Sequence, residues 1–100
     1  MRLYGTKRLQ PRMRSITVLG RRWFEKTNGN TYHSCIVYID GKQIAFEPFA
    51  YGYGNAYRQT AVELLNKAGI TATFPLWRWC KDNNVELVDD VVDVNRKKDL

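Results

Sequence analysis

The chain reads as a small α+β domain: a three-stranded antiparallel meander followed by a packed helix, with a short second helix and a C-terminal strand. Three observations predict it. Asn28-Gly29 and Asp40-Gly41 separate runs rich in β-branched and aromatic residues, a strong short-range hairpin signal. Tyr57, Ala61, Leu64, Leu65 and Ala68 fall at i, i+4, i+7, i+8 and i+11, one apolar stripe of an α-helix. With 100 residues and 44% hydrophobic composition, the chain can build one core and reads as a single domain.

Residues 1 to 14 contain Gly5, Pro11 and five cations without apolar periodicity, and read as a basic arm. A single domain is expected over residues 15 to 94, and a charged tail over 95 to 100. The first strand spans residues 15 to 24, the second 31 to 39 and the third 42 to 49, with Pro48 near the end of the third, where a lost donor is tolerated. If both turns are two-residue loops, Thr27 pairs with Asn30 and Ile39 with Lys42. Val18, Phe24, Cys35, Val37, Ile39, Ile44 and Phe46 then share a core face. Leu19, Arg21, Trp23, Tyr32, Ser34, Ile36, Tyr38, Gln43 and Ala45 share the other. Arg22 and His33 fit the core face badly, and Gly20 is a possible bulge.

The helix is expected over residues 55 to 68, with Asn55 as its N-cap and Gly69 in the left-handed position after it, so that Ile70 folds back on Leu65 as in a Schellman motif. A second helix is expected within residues 71 to 84, capped by Thr73 with Pro75 in its first turn. A last strand follows over residues 85 to 94. Trp77 and Trp79 exceed one narrow stripe, so this helix is a candidate to cover the aromatic sheet face.

The net charge of +6 is localised. Arg2, Lys7, Arg8, Arg12, Arg14, Arg21 and Arg22 fall within the first 24 residues, which hold no acid; the remainder carries nine Lys and Arg against ten Asp and Glu. Such a segment attracts polyanions, nucleic acid first among them; the plainer reading is a solvated arm. No apolar run approaches the roughly 20 residues of a membrane span, so a cytoplasmic location is expected and no membrane partner. Two cysteines and one histidine are too few for a disulfide scaffold or a zinc quartet.

Arg21 among Trp23, Tyr32 and Tyr38 suggests a surface where unpaired bases stack on rings while cations hold phosphates. Gly52 and Gly54 at the helix start, assisted by Arg58, suggest a weaker anion site, because helix N-termini expose N–H groups; the bland alternative is a strand-to-helix bend. His33 and Cys35 share a strand face, as a nucleophile and its base would, but packing is the commoner reason. Glu86, Asp89, Asp90 and Asp93 could gather around a hard cation, although a solvated face is the simpler reading. No phosphate-binding loop is present. Binding without catalysis and without a cofactor is therefore expected.

The strings Gly20-Arg21-Arg22-Trp23-Phe24, Gly29-Asn30-Thr31-Tyr32-His33-Ser34, Phe49-Ala50-Tyr51-Gly52-Tyr53-Gly54 and Arg96-Lys97-Lys98-Asp99-Leu100 resemble small bacteriophage-encoded proteins of no assigned function. That resemblance implies a protein that works in the host cell on nucleic acid or against a host defence system. The strand-strand-strand-helix order also looks like the later part of a double-stranded-RNA-binding domain, whose first helix and lysine-rich loop are missing here. The leading expectation is a nucleic-acid-binding accessory protein using Arg2, Lys7, Arg8, Arg12, Arg14, Arg21, Trp23, Tyr32, Tyr38, Gly52, Gly54 and Arg58. The alternative is an inhibitor docking on a host defence protein, such as an anti-CRISPR.

Overall fold

The computed structural model describes residues 13 to 100. Arg2, Lys7, Arg8 and Arg12, and with them most of the expected arm, lie outside the described residues. The elements run β1 (Ser15–Glu25), β2 (Asn30–Ile39), β3 (Lys42–Tyr51), α1 (Ala56–Lys67), α2 (Leu76–Asp82) and β4 (Glu86–Val94), with a 3-10 turn over Lys97–Asp99. The three-strand meander, the two helices and the last strand are those the sequence predicts.

The sheet order is β3-β2-β1-β4. β4 pairs parallel to β1, from Ser15 beside Glu86 to Trp23 beside Val94. Parallel pairing needs a crossover connection, and α1 with α2 supply it, packing on one face and leaving the other open among the described residues. The shared core is Ile16, Val18, Cys35 and Val37 from the sheet, Tyr57, Ala61, Leu64 and Leu65 from α1, and Leu76 and Cys80 from α2.

The second turn forms as its sequence dictates. Asp40 and Gly41 both have positive φ, 51° and 81°, the type I′ geometry that matches strand twist, and Ile39 pairs with Lys42. The first turn does not. Only Gly29 is left-handed there, at φ 71°, and its N–H reaches back to the Glu25 carbonyl at 2.9 Å. The Glu25 carboxylate accepts the Asn28 N–H at 3.1 Å. Glu25, not Thr27, therefore pairs with Asn30, a slip of two residues, which preserves every side-chain face because strand alternation has period two.

In β3 the faces do change. The register shifts between Val37 and Tyr38, and again between His33 and Cys35. The first shift leaves Ile44 as the extra residue, puts Ala45 opposite Val37 on the core side, and turns Phe46 beside Ile36 on the open side. Phe46 is accordingly 46% exposed rather than buried against Leu64 and Leu65. Phe24, also expected in the core, lies 53% exposed at the far end of β1. Gly20 is not a bulge; it pairs in continuous register with Cys35 and Val91.

α1 ends as predicted. The Ile70 N–H bonds to the Leu65 carbonyl at 2.9 Å and the Gly69 N–H to that of Asn66 at 3.0 Å, with Gly69 at φ 95°. This is the paired Schellman pattern. Asn55 holds the N-cap position but makes no side-chain cap bond. α2 is shorter than expected, with Pro75 rather than Thr73 at its N-cap, and it packs against α1 and β4. It does not cover the open face. Trp77 is exposed, while Trp79 packs against the core.

Two predictions follow from this packing. A Cβ at Gly20 would lie 2.8 Å from Cγ and Cδ2 of Tyr57, so Gly20→Ala should cost about 1–3 kcal/mol by overpacking, read as a lower urea midpoint with unchanged slope. Asp40 Oδ1 accepts the backbone N–H groups of Arg14 and Ser15, each at 2.9 Å. The Arg14 bond, then that of Ser15, holds the Asp40 carboxyl below its ordinary value. A depressed carboxylate stabilises the fold above its unfolded pKa and loses that contribution as pH falls through the folded value. The melting temperature should therefore fall less steeply with acid in Asp40→Asn than in the wild type.

Candidate functional site

The two sheet faces carry different chemistry, and the polar residues that suited the core badly explain one end of it. At the junction where β3 passes into α1, His33 Nδ1 lies 3.2 Å from the Gly52 carbonyl, and its Nε2 lies 2.7 Å from Thr60 Oγ1. A carbonyl only accepts, so Nδ1 carries a proton and donates it to Gly52. Arg22 donates from Nε to Asp93 Oδ1 at 2.8 Å and from Nη1 to the Gly54 carbonyl at 2.9 Å. Both residues fasten the glycine bend to the sheet.

That bend is therefore built for packing. Gly52 has no room for a Cβ, which would meet the Ala56 Cβ, and the carbonyls of Gly52 and Gly54 are occupied by His33 and Arg22. Arg58 does not aim at the bend; its Nη2 donates to Asp89 Oδ1 at 3.1 Å, an oxygen that also accepts the Tyr57 hydroxyl at 3.1 Å. Burial works against the Arg58 charge, but the bonds to Tyr57 and Asp89 outweigh it and raise its pKa. Burial likewise pushes the Tyr57 hydroxyl up. Arg58 and Asp89 line a cavity of about 350 Å³ beside Phe74, Pro75 and Trp77, on the helix side.

Gly52, Gly54 and Arg58 are thus separated by the sheet from Arg21, Trp23, Tyr32 and Tyr38, which all lie on the open face by strand alternation. On that face Tyr32 is the centre of a row. Trp23 stacks on one side with centroids 5.9 Å apart, and Phe49 on the other at 4.6 Å. Tyr51 meets Tyr32 edge-on at 5.7 Å. Tyr38 stands six residues along β2 from Tyr32, roughly 20 Å away at strand spacing, and does not join them. Phe49 and Tyr51 were not among the expected residues; Pro48, which interrupts strand pairing, is the sequence signal that marks where β3 changes register.

The centre of the open face is apolar. Leu19, Ile36, Phe46 and Val92, with Arg21, Ser34 and Asp90, line a cavity of about 340 Å³, and Leu100 lines it too. The segment after β4 crosses the sheet to reach it. Arg21 Nη1 donates to the Asp99 carbonyl at 3.1 Å, and Lys97 Nζ sits 4.8 Å from the Phe49 ring centroid, a cation–π distance. Arg14, the one expected arm cation within the described residues, is exposed at the opposite end of β1 from Trp23.

Other candidate chemistry comes apart. Cys35 is fully buried, and burial, then the charge of Glu47, pushes its thiol up to about 12; it is a neutral packing group. Burial raises Cys80 too. Glu86 and Asp90 alternate with Asp89 and Asp93 between the two faces, and the described residues hold no group of three or more potential ligands placed for a metal ion. No helix among the described residues is long and apolar enough to cross a membrane. Comparison with protein-family models, curated proteins and solved structures finds no match.

Cys35→Ser should cost about 1–3 kcal/mol, because its hydroxyl would lack a partner in an apolar site. Native protein should resist alkylation at both thiols until it is unfolded, as read by mass spectrometry with and without urea.

Proposed function

We propose that the protein acts by binding, through the open face of its sheet, and that what it binds is a protein. The apolar centre formed by Leu19, Ile36, Phe46 and Val92, beside the row Trp23, Tyr32 and Phe49, carries this reading. Contiguous exposed apolar surface of this kind marks interaction sites, and interface hot spots concentrate in Trp, Tyr and Arg. The rings turn their faces toward one another across the strands, which leaves edges outward rather than flat platforms for bases. Binding rather than catalysis is supported by the buried, neutral Cys35 thiol and by the two hydrogen bonds that occupy His33. The resemblance to phage proteins makes a host defence complex the partner class, with the host cytoplasm as the place of action.

Nucleic acid is the second reading. It is favoured by the seven cations without an acid in residues 1 to 24, of which Arg21 reaches the open face.

The two readings separate on stably folded variants. If a protein docks, Phe46→Asp and Val92→Asp should keep the melting temperature within a few degrees and lose at least about tenfold in affinity for one stoichiometric partner, reconstituted from purified components. Labelled single and double strands should show no anisotropy change at about 0.15 M salt. Tight strand binding at that salt would overturn the docking reading. So would a salt slope that flattens by about 0.7–0.9 per lost contact when residues 1 to 12 are deleted. The deletion stops there because the Arg14 N–H bonds to Asp40.

A further inference from the structure

The open face is already holding a peptide, its own. Three contacts of different kinds place residues 97 to 100 on it: the Lys97 ammonium over the Phe49 ring at 4.8 Å, the Asp99 carbonyl on Arg21 at 3.1 Å, and Leu100 forming one wall of the cavity that Ile36, Phe46 and Val92 also line. The segment is preshaped for them. The Asp99 and Leu100 N–H groups bond back to the Arg96 and Lys97 carbonyls at 3.0 and 3.1 Å, and Arg96 pairs with Asp99 at 3.2 Å.

We infer that the open face is a docking groove for a short peptide turn presenting a cation, a free backbone carbonyl and then a leucine-like side chain, and that Lys97–Leu100 is its stand-in in cis. The partner segment has this chemistry because each feature of the face answers one feature of the bound segment: the aromatic face takes a cation, the Arg21 guanidinium takes a carbonyl oxygen, and the apolar cavity takes a branched aliphatic side chain. The occupant in place is held weakly. Lys97 and Asp99 are at or near the surface, and exposed polar contacts contribute little each, so the segment stays largely because tethering gives it an effective concentration in the millimolar range. A partner segment of the same chemistry, anchored by further contacts, displaces it. The inference rests on the protein-docking reading and specifies its partner.

The test uses the chain truncated after Asn95, which keeps all four strands, and a synthetic peptide of residues 95 to 100. Added to the truncated chain, the peptide should shift the methyl resonances of Leu19 and Ile36 and the ring resonances of Phe49 saturably. A peptide with Leu100→Asp should bind at least about tenfold more weakly. The full-length chain, whose Phe49 ring and Arg21 are already engaged by Lys97 and Asp99, should not respond. Resonances that stay still in the truncated chain, or that move equally in both chains, overturn the inference. A failure of the docking reading looks different. Peptide binding with no protein partner found would leave the groove assigned and remove its proposed biological use, whereas a partner that depends on Phe46 with no peptide binding would remove the inference alone.

Discussion

The fold depends on the contact between Tyr57 and Gly20. Tyr57 is almost wholly buried, and its ring lies so close to Gly20 that a side chain there would force it to shift. This places the first turn of α1 across β1, an interior strand flanked by β2 and by β4. The Tyr57 hydroxyl then reaches Asp89 on β4, which also holds Arg58. One side chain thus links the helix to the middle of the sheet and to its edge. Its burial also brings Ala61, Leu64 and Leu65 down on Val18, Cys35 and Val37, since these residues share the helical stripe.

Fixing α1 in this way determines which sheet face stays open. The helix start must be reached from the end of β3, and the bend at Gly52 and Gly54 is held from below by His33 and Arg22. These two polar residues sit on the core side because that end of the sheet is where the backbone carbonyls of the bend need donors. The sheet is therefore capped on one side by two helices and a polar junction. On its other side lie the apolar and aromatic side chains of four strands, with only the short segment after β4 above them among the described residues.

Much of this arrangement was legible in the sequence. The helix stripe, the Gly69 terminator and the Asp40-Gly41 turn act through local chemistry, in which few residues decide the outcome, and they appear where expected. Asn28-Gly29 shows the limit of such signals: the Glu25 carboxylate, two positions before the expected pair, captured the Asn28 N–H and lengthened the loop. The pairing of β4 with β1 was not legible, because it depends on where a crossover of two helices returns the chain. The candidate site was legible only in part. Arg21, Trp23 and Tyr32 belong to regular strands and share the face that alternation assigns them. Gly52, Gly54 and Arg58 looked like an anion site because the sequence does not show that their polar groups find partners within the fold.

The largest departure is the bulge at Ile44, and it matters for function as well as for register. Had β3 kept the simple alternation, Phe46 would have pointed into the core and Ala45 onto the open face, leaving that face shallow above Ile36. Ile44 as the extra residue reverses both. Ala45, small enough to sit beneath α1, takes the core side, and Phe46 rises next to Ile36 to form one wall of the cavity that Leu100 lines. The second irregularity, around Pro48, sets Phe49 against Tyr32 and under Lys97. Bulges re-aim side chains at sheet edges. Here the first of two on one edge strand supplies the apolar wall, and the second returns Phe49 to the open face that simple alternation also assigns it.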